Sequence, residues 1–149
     1  MNSRQTSALS SIKPMEFKIE EELPIVLLKE YVLSSHIKGY HAYMDIWLPK
    51  IGEFLDTRRE PENEFDKYAI AVMQNNVVVG HLTKGRTGRF AKTVSFFLQA
   101  SEDNKCKVEV IGKRVNLGDK EGLQIPCKLH FTGTCKFIDK LKRILSPLM

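Results

Sequence analysis

The sequence predicts a mainly β fold with two helices, arranged as a small six-stranded barrel whose open sides the helices cover. Several short segments alternate apolar and polar residues, as half-buried strands do, and two others have the period of an amphipathic helix. The chain has 149 residues, of which 42% are hydrophobic and 28% charged, values typical of one globular domain. We therefore expect a folded domain at residues 31–149 behind a flexible tail and arm at residues 1–30, and not a multidomain enzyme, a membrane protein or a disulfide scaffold.

Short apolar stretches separated by turn-forming residues predict the strands. The six predicted strands are Tyr31–Tyr43, Gly52–Arg58, Ala69–Gln74, Val77–Leu82, Lys105–Val115 and Ile125–Thr132. Asn75 and Asn76 separate the third strand from the fourth, and asparagine tolerates the left-handed backbone of a tight hairpin turn. The proline, asparagine and aspartate residues of segment 59–67 indicate an ordered loop. Gly80 is expected to let another backbone come close near the end of its strand.

The two helices are predicted from apolar residues that recur at helical spacing. In Arg86–Ala100 the residues expected on the buried face are Phe90, Val94, Phe97 and Leu98. In Cys135–Leu145 we expect Phe137, Leu141, Ile144 and Leu145 inward, and Lys136, Lys140, Lys142 and Arg143 outward.

The charge of the chain is polarised along its length. The formal net charge is +5 and the isoelectric point is near 9.1. Residues 68–101 contain no acidic residue, whereas residues 53–67 contain six acidic residues against three basic ones. Such a distribution fits a face that binds an anion beside an acidic element, and it also fits an ordinary solvated surface.

The three cysteines, Cys106, Cys127 and Cys135, form no CxxC pair, and an odd number is unlike a secreted disulfide framework. Cys127, His130 and Cys135 could contact one metal ion. On a strand, however, Cys127 and His130 would point to opposite faces, and their spacing fits no common zinc pattern. We therefore predict structural cysteines in an intracellular, reducing compartment, with no metal and no cofactor.

Residues 59–72, REPENEFDKYAIAV, resemble the signature of the HIRAN domain family. That signature has a basic residue, an acid and a proline, then asparagine, an aromatic residue followed by aspartate, and an Ala-Ile-x-Val strand. Residues 79–84, VGHLTK, are similar to the next family strand with its terminal glycine. Residues 37–43 resemble the first strand and residues 125–133 the closing one, so that the resemblance covers about residues 31–145.

The resemblance implies an OB-like or SH3-like barrel that recognises DNA, captures the 3′ end of a single strand and performs no catalysis. HIRAN domains usually lie beside a helicase or nuclease domain. No Walker A sequence GxxxxGK[ST] is present here, and residues 83–88 lack its spacing. The expected partners are therefore single-stranded DNA or DNA ends and a helicase or nuclease in another chain, and the expected location is the nucleus rather than the cytoplasm.

The residues expected to bind nucleic acid are Tyr43, Phe65, Asp66, His81, Lys84, His41 and Arg86. By the resemblance, the carboxylate of Asp66 accepts from the terminal 3′-hydroxyl, His81 and Lys84 contact phosphates, and Tyr43 and Phe65 stack on bases. Arg86 is added because it lies in the acid-free stretch. Each residue also has a structural interpretation: an Asx-turn for Asp66, core packing for the aromatic residues, and solvation for the basic ones.

Three positions depart from the family pattern. His41 occupies the place of an arginine in a well-understood member, and Ala42 and Leu123 stand where aromatic residues are found. The loss of a fixed charge and of stacking surfaces would weaken DNA binding, which leaves a protein-interaction adaptor as the alternative function. A nuclease or hydrolase built on His41, His81, Glu60 and Asp66 is a third hypothesis, but no spacing defines a nucleophile with its base or a metal site.

Overall fold

A closed barrel of six antiparallel strands forms the core of the computed structural model, which describes residues 27–116 and 122–148. The seven strands are β1 (Leu28–Lys38), β2 (Phe54–Arg59), β3 (Ile70–Gln74), β4 (Val77–Leu82), β5 (Lys105–Val110), β6 (Val115–Asn116) and β7 (Leu123–Thr134). The order around the barrel is β1-β4-β3-β2-β5-β7, and β1 closes it by pairing with both β4 and β7. The extra strand β6 pairs antiparallel with the start of β7. The predicted mainly β barrel is confirmed.

The interior of the barrel is filled by alternate side chains of its strands. The buried apolar side chains are Cys106, Val108 and Val110 in β5, and Ile125, Cys127, Leu129 and Phe131 in β7. This period of two places every second residue on the core face, as the sequence predicted. Burial raises the pKa of the Cys127 thiol to about 12, and burial is also the largest cause of the raised pKa of Cys106. Both therefore remain neutral thiols within the core.

Two α-helices cover the barrel: α1 (Phe90–Ala100) and α2 (Cys135–Leu145). Helix α1 buries Phe90, Val94 and Phe97, and the Phe97 ring meets that of Phe131 edge-on at a centroid distance of 5.8 Å. Helix α2 has the predicted bounds and exposes its four predicted basic residues. Within residues 27–116 and 122–148, neither helix is long and apolar enough to cross a membrane.

The prediction for the inward face of α2 is wrong at one residue. Ile144 is 40% exposed, whereas Ile138, which the prediction left out, is fully buried. The buried stripe runs through Ile138, Leu141 and Leu145. Since each residue of a helix turns by about 100°, Ile144 falls on the flank of this stripe, beside the groove between the two helices.

Strand β1 begins at Leu28, within the predicted arm, and β7 is two residues longer at each end than predicted. Bends at glycine residues accompany three further differences in bounds. The first strand ends at Lys38, not Tyr43, because Gly39 takes a φ of 80° and begins a 3-10 turn at Tyr40–Ala42. The predicted strand Lys105–Val115 divides into β5 and β6 at a bend around Gly112. Helix α1 begins at Phe90, four residues after its predicted start, because a turn precedes it in which Gly88 has a φ of 78°. The tail and most of the predicted arm, residues 1–26, lie outside the described residues.

The hairpin of β3 and β4 is formed as predicted. Asn75 and Asn76 occupy its turn with φ values of 49° and 67°. Gly80 pairs with Val72 of β3 on one side of β4. On the other side the backbone of β1 comes close, since a Cβ at Gly80 would lie 3.0 Å from the carbonyl oxygen of Lys38. This contact lets the end of β4 pair with the end of β1, Lys38 opposite His81.

Candidate nucleic-acid interface

A cleft of about 230 Å³ opens where the loop of residues 60–69, the end of β4 and the start of α1 meet. Four of the seven predicted binding residues line this cleft: Phe65, Asp66, His81 and Lys84. The other lining residues are Asn63, Ala69, Leu82 and Ala91. We call this feature the Asp66 cleft. It combines a carboxylate, an imidazole, an ammonium group and an aromatic ring within one small surface.

The two carboxylate oxygens of Asp66 face different groups. Oδ1 accepts a hydrogen bond from the backbone N–H of Tyr68 at 2.9 Å, which is the Asx-turn that its structural interpretation predicted. Oδ2 lies 3.7 Å from Nζ of Lys84, and the Asp66 side chain is 22% exposed. Turn formation therefore occupies one oxygen and leaves the other directed toward the lysine.

The backbone of the loop is fixed by Asn63. Its Oδ1 accepts from the backbone N–H groups of Phe65 and Asp66, at 2.8 Å and 3.1 Å. Its Nδ2 donates to Oε1 of Glu60 at 3.1 Å. At the base of the loop, the backbone N–H of Glu60 donates to the carbonyl oxygen of Ala69 at 3.0 Å. A single side chain thus orients the two residues that present the aromatic ring and the carboxylate.

Glu60 connects the loop to His81, a role that the sequence did not reveal. Its carboxylate is almost completely buried, and Oε1 lies 2.8 Å from Nε2 of His81. The same oxygen accepts from Nδ2 of Asn63, so that Glu60 links the loop to the imidazole of β4 and orients its ring.

The two aromatic candidates have different environments. Phe65 is 95% exposed, which excludes core packing within the described residues. Tyr43 follows the 3-10 turn and is half-buried. Burial, and after it the nearby charge of Glu60, raise the pKa of the Tyr43 phenol, so that this hydroxyl lies close enough to Glu60 to feel its charge.

His41 and Arg86 are outside the lining of the Asp66 cleft. Arg86 is exposed in the turn that follows Lys84. His41 is exposed on the 3-10 turn, and its Nδ1 would lie 3.7 Å from a Cβ placed at Gly122. Neither residue contributes to the wall of the cleft, and only Arg86 lies close to it along the chain, two residues after Lys84.

Three solved structures are similar to this chain in fold. The crystal structure of the HIRAN domain of human HLTF matches with a TM-score of 0.59 and 22% identity, over 78% of this chain and 87% of that one. An NMR structure of the HLTF HIRAN domain has a TM-score of 0.56 and 21% identity over the same shares. A further NMR structure, of that domain in its DNA-bound conformation, has a TM-score of 0.55 and 22% identity over 78% and 86%.

This chain has a HIRAN-like fold. The resemblance predicted from residues 59–72 and 79–84 is confirmed at the level of the fold. No protein-family model matches the sequence, and no curated protein matches it. At these identities the match concerns the arrangement of the strands, and the roles of individual residues rest on the geometry of the site.

The three departures from the HIRAN pattern lie in one region of this HIRAN-like domain. His41 and Ala42 are exposed on the 3-10 turn, and His41 faces Gly122, which directly precedes Leu123. Leu123 is partly buried and packs against the hydrophobic core. The side chains of the Asp66 cleft come from the other matched segments, so that the departures leave its composition unchanged.

No metal site accompanies the cleft. In residues 27–116 and 122–148, no group of three or more histidine, cysteine, aspartate and glutamate side chains could hold a metal ion. Cys127 is buried, whereas His130 lies on the outer face, with Nε2 of His130 2.8 Å from Oε1 of Glu109. The opposite orientation predicted for Cys127 and His130 is therefore confirmed.

Proposed function

We propose that this chain is a non-catalytic module that binds single-stranded DNA at its 3′-hydroxyl end through the Asp66 cleft. The observation that carries the proposal is the convergence of Phe65, Asp66, His81 and Lys84 on one cleft. Residues 65–66 and 81–84 belong to two segments of the chain, and an end-binding site needs the acceptor, the donors and the stacking surface that they supply together.

Each group has a distinct task at a strand end. Oδ2 of Asp66 accepts a hydrogen bond from the 3′-hydroxyl, and the same negative charge repels a terminal phosphate. Lys84, which is 65% exposed at its side chain, pairs with the last phosphodiester. Phe65 provides an exposed ring on which the terminal base stacks, a contact worth about 1–3 kcal/mol. His81, which Glu60 holds through Nε2, is the second candidate for a phosphate contact.

Two further observations support a nucleic-acid ligand. The HLTF HIRAN domain, which shares the fold, has been solved in a DNA-bound conformation. The acid-free segment 68–101 also includes the end of β4 and all of α1, the elements on one side of the cleft. We expect a helicase or nuclease in another chain to act on the bound end. The predicted intracellular, nuclear location fits this function and stays a prediction.

Fluorescence anisotropy with three oligonucleotides tests the proposal. The ligands are a single strand with a 3′-hydroxyl, the same strand with a 3′-phosphate, and a blunt duplex. We expect the 3′-hydroxyl strand to bind at least about tenfold more tightly than the other two ligands. This ratio corresponds to a difference of about 1.4 kcal/mol in binding free energy. The affinity should fall steeply with added salt, because each phosphate contact releases a counterion.

Asp66→Asn is the matched variant for this measurement. Its amide oxygen can still accept from the N–H of Tyr68, so that the turn is retained while the charge is removed. We expect it to abolish discrimination against the 3′-phosphate, whereas Asp103→Asn, at an exposed residue in the turn after α1, should not. Equal, weak binding of the wild type to all three ligands would contradict the proposal.

A protein-interaction adaptor is the second candidate, and an exposed apolar loop favours it. Met44, Ile46, Leu48 and Ile51 are between 41% and 75% exposed in the segment between the 3-10 turn and β2. Clustered exposed apolar residues commonly mark protein interfaces. If this is the function, a pull-down should recover one stoichiometric partner despite nuclease treatment, and serine substitutions at Ile46 and Leu48 should release it.

A further inference from the structure

Beside the Asp66 cleft, two lysines and two aromatic rings form a continuous exposed cluster. Nζ of Lys67 lies 5.3 Å, and Nζ of Lys92 5.0 Å, from the centroid of the Tyr68 ring. The Tyr68 ring also contacts that of Phe96, with 5.4 Å between the centroids and 53° between the planes. Phe96 is 51% exposed. We call these four residues the Tyr68 cluster.

The positive charge of the Tyr68 cluster is not neutralised by acidic residues. In the described part of the chain, neither ammonium group has a carboxylate within ion-pair distance. The ring face of Tyr68 attracts both cations and so holds two like charges beside one ring. Both ammonium groups are therefore available to the charges of an anionic ligand.

The cluster continues directly from the cleft. The backbone N–H of Tyr68 donates to Oδ1 of Asp66, so that the ring begins two residues beyond the carboxylate. On the helix, Ala91 lines the cleft and Lys92 is the next residue. Phe96 lies four residues after Lys92, on the same side of α1. A chain that leaves the cleft past Tyr68 would therefore meet Lys92 first and Phe96 second.

We propose that the Tyr68 cluster is a second subsite that binds the single-stranded nucleic acid one or more nucleotides upstream of the end held in the Asp66 cleft. Lys67 and Lys92 bind backbone phosphates, and the exposed ring of Phe96 stacks on an unpaired base. Tyr68 positions the two lysines. This inference rests on the proposed function, because the strand reaches the Tyr68 cluster only if its 3′ end is bound in the Asp66 cleft.

The chemistry of the cluster favours a single strand over the other anionic ligands. Alternating cations and exposed aromatic faces are the pattern with which proteins hold unpaired nucleotides, since every base has a π-face and every linkage a charge. A duplex would satisfy the lysines and leave Phe96 without a base to stack on. An acidic peptide would likewise satisfy the lysines, but the ring would gain no specific contact.

Anisotropy titrations with a length series of single strands test the subsite. The ligands are labelled 3′-hydroxyl strands of two, four, six and eight nucleotides, and the variants are Lys92→Gln and Phe96→Ala. In the wild type we expect a stepwise gain in affinity once the strand is long enough to extend from the cleft to the Tyr68 cluster. Phe96→Ala should reduce this gain about fivefold to hundredfold. Lys92→Gln should reduce the slope of log K against log salt by about 0.7.

Two matched controls separate the subsite from general effects of charge and packing. Lys142→Gln removes a lysine that also lies over a tyrosine, 5.9 Å from the centroid of Tyr31, on the other helix. Phe54→Ala removes an exposed phenylalanine of β2. Both controls should titrate like the wild type at every length. With the dinucleotide, all four variants should retain the wild-type affinity and preference for a 3′-hydroxyl.

The outcomes distinguish this inference from the proposed function. If the wild type prefers the 3′-hydroxyl but Lys92→Gln and Phe96→Ala match it at every length, the subsite is refuted and the cleft stands. If the wild type binds no strand, or shows no preference for the end, the proposed function fails and the subsite fails with it. If the Tyr68 cluster raises the affinity for a duplex as much as it raises the affinity for a single strand, the assignment of Phe96 to base stacking is wrong.

Discussion

Gly80 is a residue at which β1 and β4 come into close contact. A Cβ at this position would clash with Cγ2 of Ile37 and lie 3.0 Å from the carbonyl oxygen of Lys38, and both neighbours belong to the strand that closes the barrel. His81 follows directly and faces Lys38 across the same pair of strands. The side chain that reaches Glu60 is therefore placed by a glycine that lets two backbones touch.

Gly80→Ala should lower the free energy of unfolding by about 1–3 kcal/mol, because the added methyl group overpacks the junction of β1 and β4. Urea denaturation measures the change. Gly112→Ala is the comparison, since its Cβ would lie 3.2 Å from a ring carbon of Pro126, which can shift, and its cost should be smaller. An equal or larger cost at Gly112 would refute this explanation of the glycine.

The loop of residues 60–69 is the element that supplies Phe65 and Asp66 to the candidate site. Its order comes from side chains that bond to its own backbone: Asn63 to Phe65 and Asp66, and Asp66 to Tyr68. The buried carboxylate of Glu60 ties the loop to Asn63 and to His81 of β4. A loop fixed in this way presents Phe65 and Asp66 in one geometry before a ligand arrives, which reduces the entropy lost on binding.

Asn63→Ala should weaken binding to a 3′-hydroxyl strand by about fivefold to tenfold, because the loss of two hydrogen bonds worth about 1 kcal/mol each loosens Phe65 and Asp66. Anisotropy gives the affinity, and thermal melting monitors the barrel. Glu64→Ala, at an exposed residue of the same loop, should retain the wild-type affinity. Unchanged affinity in Asn63→Ala would mean that the loop does not position the site.

Local patterns in the sequence correctly predicted the elements whose structure is set by residues close together in the chain. The β3–β4 hairpin and helix α2 follow from turn chemistry and periodicity, and both have their predicted bounds within one residue. Four candidate residues could be assigned to one site because they lie in two matched segments. The role of Glu60 could not be predicted, because its partner His81 is 21 residues away and only the strand pairing brings them together.

On the scale of the whole molecule, pairing between strands distant in the sequence closes the barrel that carries both proposed subsites. Strand β1 pairs with β7 along ten residue pairs and with β4 at two. Periodicity does not reveal these long-range pairings or the 3-10 turn after Gly39, at which β1 ends five residues before its predicted end. The pairing of β3 with β4 brings the loop of residues 60–69 to the end of β4 beside the start of α1, and so places an acid-free helix beside a carboxylate.

The central claim is that a nucleic-acid end occupies the Asp66 cleft, and amide chemical shifts in ¹⁵N-labelled protein test it most directly. On titration with a short 3′-hydroxyl oligonucleotide, we expect the largest changes at Phe65, Asp66, Tyr68, His81 and Lys84. The amide signals of Val115 and Leu145, in β6 and at the end of α2, should move little. Saturation with shifts confined to other parts of the barrel, and none at residues 63–68 or 81–84, would contradict the claim.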